Sequence, residues 1–136
     1  MKKEPKYCIN CGKQIPSRNG KYCNNTCQQE YQTKQYIERW KNGEETGLSG
    51  YGVCDRVRNY ILKKINFKCE RCGWSEVNPF TKNIPLEIHH LDGNYLNNKE
   101  ENLQGLCPNC HSLTETYKGA NSGEGRKERK KYSLYE

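Results

Sequence analysis

The nine cysteines of this 136-residue chain constrain its fold more than any other feature. Eight of them occur as close pairs with two or three residues between partners, and the pairs form two groups of four. The groups are Cys8, Cys11, Cys23 and Cys27, and Cys69, Cys72, Cys107 and Cys110. A tight turn between paired cysteines directs both sulfurs at one point, as tetrahedral zinc requires. The spacing therefore predicts two four-cysteine zinc sites.

Paired cysteines also occur in disulfides, and the redox compartment decides between the two interpretations. The first residues, MKKEPKYCIN, contain no apolar run typical of a secretory signal. No uninterrupted apolar stretch of about 18 residues is present, so no transmembrane helix and no membrane partner are predicted. We expect a cytoplasmic protein whose reduced thiols hold two structural zinc ions. Because only 32% of the residues are hydrophobic, such ions would add stability that a small core cannot supply.

The net charge of +7 is unevenly distributed. Residues 1–66 carry 13 Lys and Arg against 6 Asp and Glu, whereas residues 67–120 carry 5 against 7. Two zinc sites of four thiolates each would lower the folded charge to about +3. A basic first half favours nucleic acid or another anionic surface as a partner, and charge alone equally fits simple solubility.

Local patterns predict two helices in the first half of the chain. Residues 24–41 lack Gly and Pro, and Ile37 and Trp40, with Tyr36, would form the packing side of a helix. Residues 42–52 contain four glycines and are typical of a flexible connection. A second helix is predicted over 53–65. Cys54 lies in its apolar pattern, and we interpret it as a small buried hydrophobic residue.

The second half predicts strands and a helix around the later cysteines. Residues 84–91 alternate apolar and polar side chains as a strand does, and residues 102–106 would supply a second strand. A helix is expected over 109–117. Gly12 and Gly73 each follow a cysteine pair, where a positive φ completes the turn.

All three histidines of the chain lie in the segment bracketed by the second cysteine group. His89 and His90 are adjacent, so in a continuous strand they would point to opposite faces. The Asp92-Gly93 turn signal indicates that the strand ends beside them. They could still be ordinary surface residues, and His111 could be a zinc ligand, although four cysteines already complete that site. Their joint placement favours a shared function.

The sequence LEIHHLDGN at 86–94, with the later NN, ENL and LCPNCH, resembles the HNH endonuclease family. The resemblance covers roughly residues 67–118 and implies a ββα-metal unit, which is two short strands and a helix around one catalytic divalent ion. It implies that His90 is the general base and that Asn102 braces the loop and helps to orient it. It also implies catalytic-metal ligands at His89, at His111 and, one helical turn later, at Glu115. The Cys69 group would hold the structural zinc of many relatives.

This chemistry fits hydrolysis of a phosphodiester. A histidine with a pKa of about 6.5 can take a proton from water near neutral pH. A divalent ion can bind the phosphate and stabilise the departing 3′ oxygen. Mg²⁺, Mn²⁺ and Ni²⁺ are the candidates for this ion. We expect products with 5′-phosphate and 3′-hydroxyl ends.

Together these features predict a small, zinc-stabilised α+β protein. Its expected parts are a treble-clef-like or zinc-ribbon-like module at 1–30, a helical connector at 31–66, an HNH nuclease domain at 67–120 and a basic flexible tail at 121–136. The first module could be a folding staple only, but the charge distribution favours DNA. Sequence-independent phosphate contacts are expected from basic residues of the first half. They are Lys13, Arg18, Lys21, Arg56, Arg58, Lys63 and Lys64.

The predicted function is a metal-dependent endonuclease that nicks or cuts double-stranded DNA. Small HNH proteins of this kind resemble the homing endonucleases of phages and mobile elements, and restriction and DNA packaging use the same domain. A zinc-dependent nucleic-acid-binding protein without catalysis is the alternative from another class, and an RNA-directed nuclease is a third. The complete set of His89, His90, Asn102 and His111 favours the DNA endonuclease, because binding alone does not require it.

Overall fold

The computed structural model describes residues 2–18, 20–50 and 52–115. The chain divides into two compact units, Met1–Arg39 and a second that begins at Trp40. Each unit contains one of the two cysteine groups. The tail expected at 121–136 lies outside the described residues. None of the described helices combines the length and the apolar character that crossing a membrane requires.

The first unit begins with a short hairpin. Strands β1 (Lys6–Tyr7) and β2 (Gln14–Ile15) pair antiparallel, with Lys6 opposite Ile15. Ile15 is buried together with Cys8 and Cys27, so the cysteines themselves form much of this small core. The hairpin thus presents the first cysteine pair on the turn between its strands.

Helix α1 (Asn25–Lys41) confirms the helix predicted over 24–41. It starts where it does because Asn24 accepts a hydrogen bond from the backbone N–H of Cys27 at 2.8 Å, which satisfies one free donor of the first turn. Ile37 and Trp40 are buried, as predicted for the packing side. The last two residues of the helix, Trp40 and Lys41, belong to the second unit.

The interpretation of residues 42–52 as a flexible connection is wrong. Strands β3 (Leu48–Ser49) and β4 (Gly52–Val53) form an antiparallel hairpin there. Gly47 adopts a φ of +72° and its carbonyl accepts a hydrogen bond from Cys54 N–H at 2.7 Å. Glycine density in this segment reflects ordered turns with positive φ, which glycine adopts at little cost.

Helix α2 (Asp55–Lys64) is shorter at its start than the predicted 53–65. Val53 belongs to β4, and Cys54 is the residue that caps the helix, with extended backbone angles. Cys54 is half-buried and is not part of the helical apolar face, so its interpretation as a buried hydrophobic residue on that face is wrong. Val57, Ile61 and Leu62 form the buried face.

The second half builds a β-β-α arrangement. Strand β5 (Glu87–His90) pairs antiparallel with β6 (Leu103–Leu106), and a 3₁₀ turn at Glu100–Asn102 leads into β6. Helix α3 (Pro108–Ser112) follows at once and contacts both strands. It ends at Ser112, whereas a helix was predicted over 109–117. The N–H groups of Leu113 and Thr114 donate to the carbonyls three residues earlier, as in turns, and residues 116 and 117 lie outside the described part of the chain.

The strands pack on α2 through a close backbone approach at Gly105. A methyl group built at Gly105 would lie 2.3 Å from Cδ1 of Ile65, which is far inside contact distance. Leu62, Leu86 and Leu106 complete this core beside the second cysteine group. Helix α2 therefore packs against one side of the strand pair that carries the histidines. The second cysteine group lies in the same core and holds the neighbouring segments in place.

Candidate active site and metal centres

Both cysteine groups have the dimensions of a tetrahedral zinc site. Within each group the four sulfurs lie within 4.8 Å of one another. The Sγ–Sγ distances are 3.8 Å for Cys11 and Cys23, 3.4 Å for Cys23 and Cys27, and 3.7 Å for Cys72 and Cys107. Zinc–sulfur bonds of about 2.3 Å give a tetrahedron with edges of roughly 3.8 Å. All nine cysteines are free thiols, so each group of four can hold a metal ion.

The first pair of each group is built on the same turn. Gly12 N–H donates to the carbonyl of Cys8, and Gly73 N–H donates to that of Cys69, both at 2.8 Å. The two glycines have φ values of +75° and +78°, which confirms the positive φ predicted from their place after the pairs. The turn also points backbone N–H groups at the sulfurs, which stabilises thiolate.

The pKa values of the clustered thiols show why a cation fits. Hydrogen bonds from the backbone, led by that of Cys11, lower the pKa of Cys8 to about 6. Burial raises the pKa of Cys69, but backbone hydrogen bonds outweigh it and bring the value to about 6. The neighbouring sulfur of Cys27 raises the pKa of Cys23 to about 12. Four adjacent thiolates repel one another, and a divalent cation between them removes that repulsion.

His89 and His111 meet at the junction of β5 and α3. His89 is 6% exposed, and its ring centroid lies 5.3 Å from that of His111, with the planes tilted by 59°. Two imidazoles bound to one ion through bonds of about 2.1 Å have centroids roughly 5 Å apart, so the pair fits a shared ion. Burial lowers the pKa of His89, and the neighbouring His111 and His90 lower it further. The neutral ring that binds metals is thereby favoured.

Glu87 contacts His111, although the sequence analysis gave it no role. Its Oε2 lies 2.5 Å from Nδ1 of His111. Glu87 and His89 are two positions apart on β5 and so share a face of the strand. The alternation of side chains along the strand could have indicated Glu87, because it places this carboxylate on the face of His89. A carboxylate beside a histidine that binds metal commonly orients the histidine ring.

His90 is the last residue of β5, which confirms that the strand ends at the histidine pair. Its Nε2 lies 2.6 Å from Oδ1 of Asn98. The adjacent His89 contacts a different partner, His111, as opposite faces of a strand require. Asn98 is a second residue to which the sequence analysis gave no role, and no local spacing connects it to His90.

Asn102 lies under the loop that follows β5. Its Nδ2 donates to Oδ1 of Asp92 at 2.9 Å and to the carbonyl of Asn97 at 2.8 Å, while its Oδ1 accepts from Asp92 N–H at 3.1 Å. Burial raises the pKa of Asp92, but hydrogen bonds led by that of Asn97 hold it below its ordinary value. The structure thus brings Asn102 to the loop, and it places Asn98 at the ring of His90.

Glu115 is exposed and lies three positions beyond the end of α3 at Ser112. Among the described residues, groups of three or more donors within 4.8 Å of one another occur only at the two cysteine sites. The carboxylate of Glu115 therefore does not form such a group with the ring nitrogens of His89 and His111. The physical reason is that α3 does not continue for the further turn that would carry Glu115 toward them.

The basic residues predicted to contact phosphate differ in their surroundings. Lys13, Arg18 and Lys21 in the first unit, and Arg56 and Lys63 on α2, are exposed. Arg58 instead donates from Nη2 to the carbonyl of Leu86 at 2.8 Å, which ties α2 to the segment before β5. Lys64 forms a 2.6 Å ion pair with Glu100. The last two side chains therefore have bonding roles inside the second unit.

Comparison with known proteins finds a family match inside the second unit. A family model described as HNH endonuclease matches residues 69–116. The H-N-H endonuclease F-TflIV of Escherichia phage T5 is 41% identical over 98 residues, which are 66% of this chain and 40% of that protein. The Zorya protein ZorE of Escherichia coli is 30% identical over 84 residues, covering 62% of this chain and 18% of that protein.

The chain thus spans less than half the length of either relative. No solved structure matches it significantly. The family match coincides with the β5-β6-α3 arrangement and includes the second cysteine group and all three histidines. Residues 69–116 of the chain therefore match the HNH endonuclease family model.

Proposed function

We propose that this chain is a metal-dependent DNA endonuclease that nicks or cuts duplex DNA, with a role in the homing of a phage or mobile element. The observation that carries the proposal is the meeting of His89 and His111, with ring centroids 5.3 Å apart, while His90 is the next residue of the chain at the end of β5. The phage relative supports it, since its name describes an H-N-H endonuclease. We propose that the protein acts in the cytoplasm of a bacterial host.

His89 and His111 would hold one divalent ion, with Mg²⁺, Mn²⁺ or Ni²⁺ as candidates. When bound, the ion would supply a positive charge for the scissile phosphate and the leaving 3′ oxygen. Glu87 would accept a hydrogen bond from Nδ1–H of His111, which leaves Nε2 as the ligand atom. Glu115 is proposed as a further ligand and would have to approach the pair from its exposed position.

His90 would remove a proton from the attacking water. One ring nitrogen is engaged by Asn98, so Nδ1 is the atom that would accept the proton. The hydroxide would then attack phosphorus, the bond from phosphorus to the 3′ oxygen would break, and that oxygen would take a proton from solvent. The ends would be a 5′-phosphate and a 3′-hydroxyl. Asn102 would not contact the ring of His90. It would stabilise the conformation of the loop after His90 through its hydrogen bond to Asp92.

The two cysteine groups would each bind a structural zinc ion. We further propose that the hairpin and helix of the first unit form a treble-clef-like module that contacts DNA. Lys13, Arg18 and Lys21 support this, because all three are exposed cations in a unit without the candidate active site. The acidic balance of residues 67–120 means that phosphate affinity has to come mainly from outside that segment.

Cleavage of supercoiled plasmid tests the proposal. The purified protein is incubated with Mg²⁺ or Mn²⁺ beside its His90→Ala variant and a Glu101→Gln variant, whose side chain is an exposed neighbour in the turn before β6. Loss of a general base lowers the rate by about 100-fold or more. Equal cutting by His90→Ala would remove His90 from that role, and no cutting by the wild type with any divalent ion would contradict the nuclease. Cleavage of RNA alone would favour the RNA-directed alternative.

The ends left on a complex DNA substrate test the finer proposals. Ends that a ligase reseals without further treatment carry 5′-phosphate and 3′-hydroxyl groups. Sequencing of the same ends separates nicks from double-strand breaks. Cuts concentrated at one long site support homing, and dispersed cuts contradict it.

A further inference from the structure

Asn98 is the most deeply buried polar side chain near the candidate active site, at 2% exposure. Both halves of its amide have a partner. Its Nδ2 donates to the carbonyl of Tyr95 at 3.0 Å, and its Oδ1 lies 2.6 Å from Nε2 of His90. The orientation of this amide is set by Tyr95, because a carbonyl oxygen can only accept a hydrogen bond.

The orientation of Asn98 decides which nitrogen of His90 carries the proton. Since the NH₂ group points at Tyr95, an oxygen faces His90 and accepts a hydrogen bond from Nε2–H. A neutral imidazole has one N–H, so Nδ1 then holds the lone pair. The reverse tautomer would place two acceptors 2.6 Å apart, which is repulsive.

Trp40 holds the backbone of Asn98 in turn. Its indole Nε1–H donates to the carbonyl of Asn98 at 2.7 Å, and Trp40 is 5% exposed. The indole packs edge-on against Tyr60, with the ring centroids 5.7 Å apart. Trp40 lies before residues 69–116, so this contact comes from outside the segment that matches the family.

We propose that Asn98, held in place by Trp40, is the positioning residue that fixes the ring orientation and the Nε2–H tautomer of His90. The catalytic consequence rests on the proposed function, since it assigns Nδ1 as the atom that takes the proton from water. The resemblance gave the orienting role to Asn102. The side chain of Asn102 bonds to Asp92 and Asn97, so the direct contact with the ring belongs to Asn98.

Long-range ¹H–¹⁵N spectra of the histidine rings test the tautomer directly. They are recorded on the full-length, zinc-loaded protein at about pH 8, where an ordinary histidine is neutral. We expect the Nε2–H pattern for His90 in the wild type and in the exposed control Glu101→Gln. In Asn98→Leu, which keeps the branched shape and the number of side-chain heavy atoms but removes the acceptor, we expect a mixture of both tautomers. An unchanged Nε2–H pattern in Asn98→Leu would overturn the proposal.

Asn98→Asp separates positioning from stability. Its carboxylate can still accept from His90, but it loses the donor to Tyr95, so the protein should melt earlier and yet retain the Nε2–H pattern. An Asn98→Asp protein with the same mixed tautomers as Asn98→Leu would overturn the role of the acceptor oxygen. Trp40→Phe, which loses only the indole donor and some ring area, should shift the pattern partway. No change in that variant would remove Trp40 from the proposal.

Plasmid cleavage supplies the functional readout. We expect Asn98→Leu to lower kcat by about 10-fold to 100-fold with KM little changed, and Asn98→Asp to recover most of kcat. A change in KM alone would contradict positioning of the base. If the wild type shows the fixed tautomer but cuts no nucleic acid, the proposed function fails while the structural inference stands. The two failures are thereby distinguished.

Discussion

Glu87 and His111 form a 2.5 Å contact, between Oε2 and Nδ1, that links β5 to α3 at the proposed catalytic metal site. The side chain of Glu87 is half-exposed and that of His111 is 26% exposed, so the contact lies at the surface where a phosphate could approach. A carboxylate that accepts from one ring nitrogen leaves the other as the metal ligand.

Glu87→Gln should weaken catalytic-metal binding by about 10-fold to 100-fold, because the neutral amide holds the His111 ring less firmly. Titration of Mn²⁺ into the zinc-loaded protein measures the affinity. Glu101→Gln is the matched control, since it removes an equal charge from an exposed site nearby. Equal Mn²⁺ affinity in both variants would show that Glu87 does not orient the ligand.

Asn102→Ala should destabilise the loop that follows β5. The change removes both hydrogen bonds that Asn102 makes with Asp92 and leaves a polar gap, at a cost of about 1–3 kcal/mol. The pKa of Asp92 should rise toward its ordinary value, because one of the donors that lower it is lost. Thermal unfolding measures the first effect and carbon-detected NMR titration the second. A wild-type pKa in the variant would contradict this arrangement of the loop.

Gly105→Ala should destabilise the protein by about 1–3 kcal/mol through overpacking against α2. The added methyl group would lie 2.3 Å from Cδ1 of Ile65. Ile65→Val removes that atom, so the double variant should lose less stability than the two single changes added together. Denaturant unfolding of all four proteins gives the coupling free energy. Strict additivity would show that Ile65 is not the obstacle.

Cys69→Ser should remove one of two zinc ions, whereas Cys54→Ser should retain both. Cys69 is one of four clustered sulfurs, and Cys54 is in neither cluster. Elemental analysis after gel filtration counts the zinc in each variant. The loss of zinc should also lower the melting temperature, since metal-binding free energy contributes to folding. Full zinc content in Cys69→Ser would contradict the assignment of that group.

Replacement of Lys13, Arg18 and Lys21 by Gln should weaken DNA binding and flatten its salt dependence. Each lost phosphate contact reduces the slope of log affinity against log salt by roughly 0.9. Lys82→Gln is the control, because Lys82 is exposed and is not one of the predicted phosphate contacts. A triple variant with the wild-type slope would show that the first unit does not contact the phosphates.

Several features were predictable because they depend on neighbours in the chain. The cysteine spacing predicted both groups of four sulfurs that could hold a metal ion, since the first pair of each needs only a tight turn with glycine at positive φ. Helix α1 followed from a run without Gly or Pro, and the end of β5 followed from the Asp92-Gly93 turn. The segment 42–52 was misjudged because glycine content does not distinguish a mobile linker from a glycine-rich hairpin.

The sequence by itself determined the donor atoms: eight paired thiols, three imidazoles and the order in which they occur. Only the tertiary structure decided which of them meet. His89 faces His111 because α3 packs on β5, and His90 faces Asn98 because the loop after β5 folds back under the indole of Trp40. These contacts join residues far apart in sequence and depend on how the strands pack against α2 and α3, which no local spacing encodes.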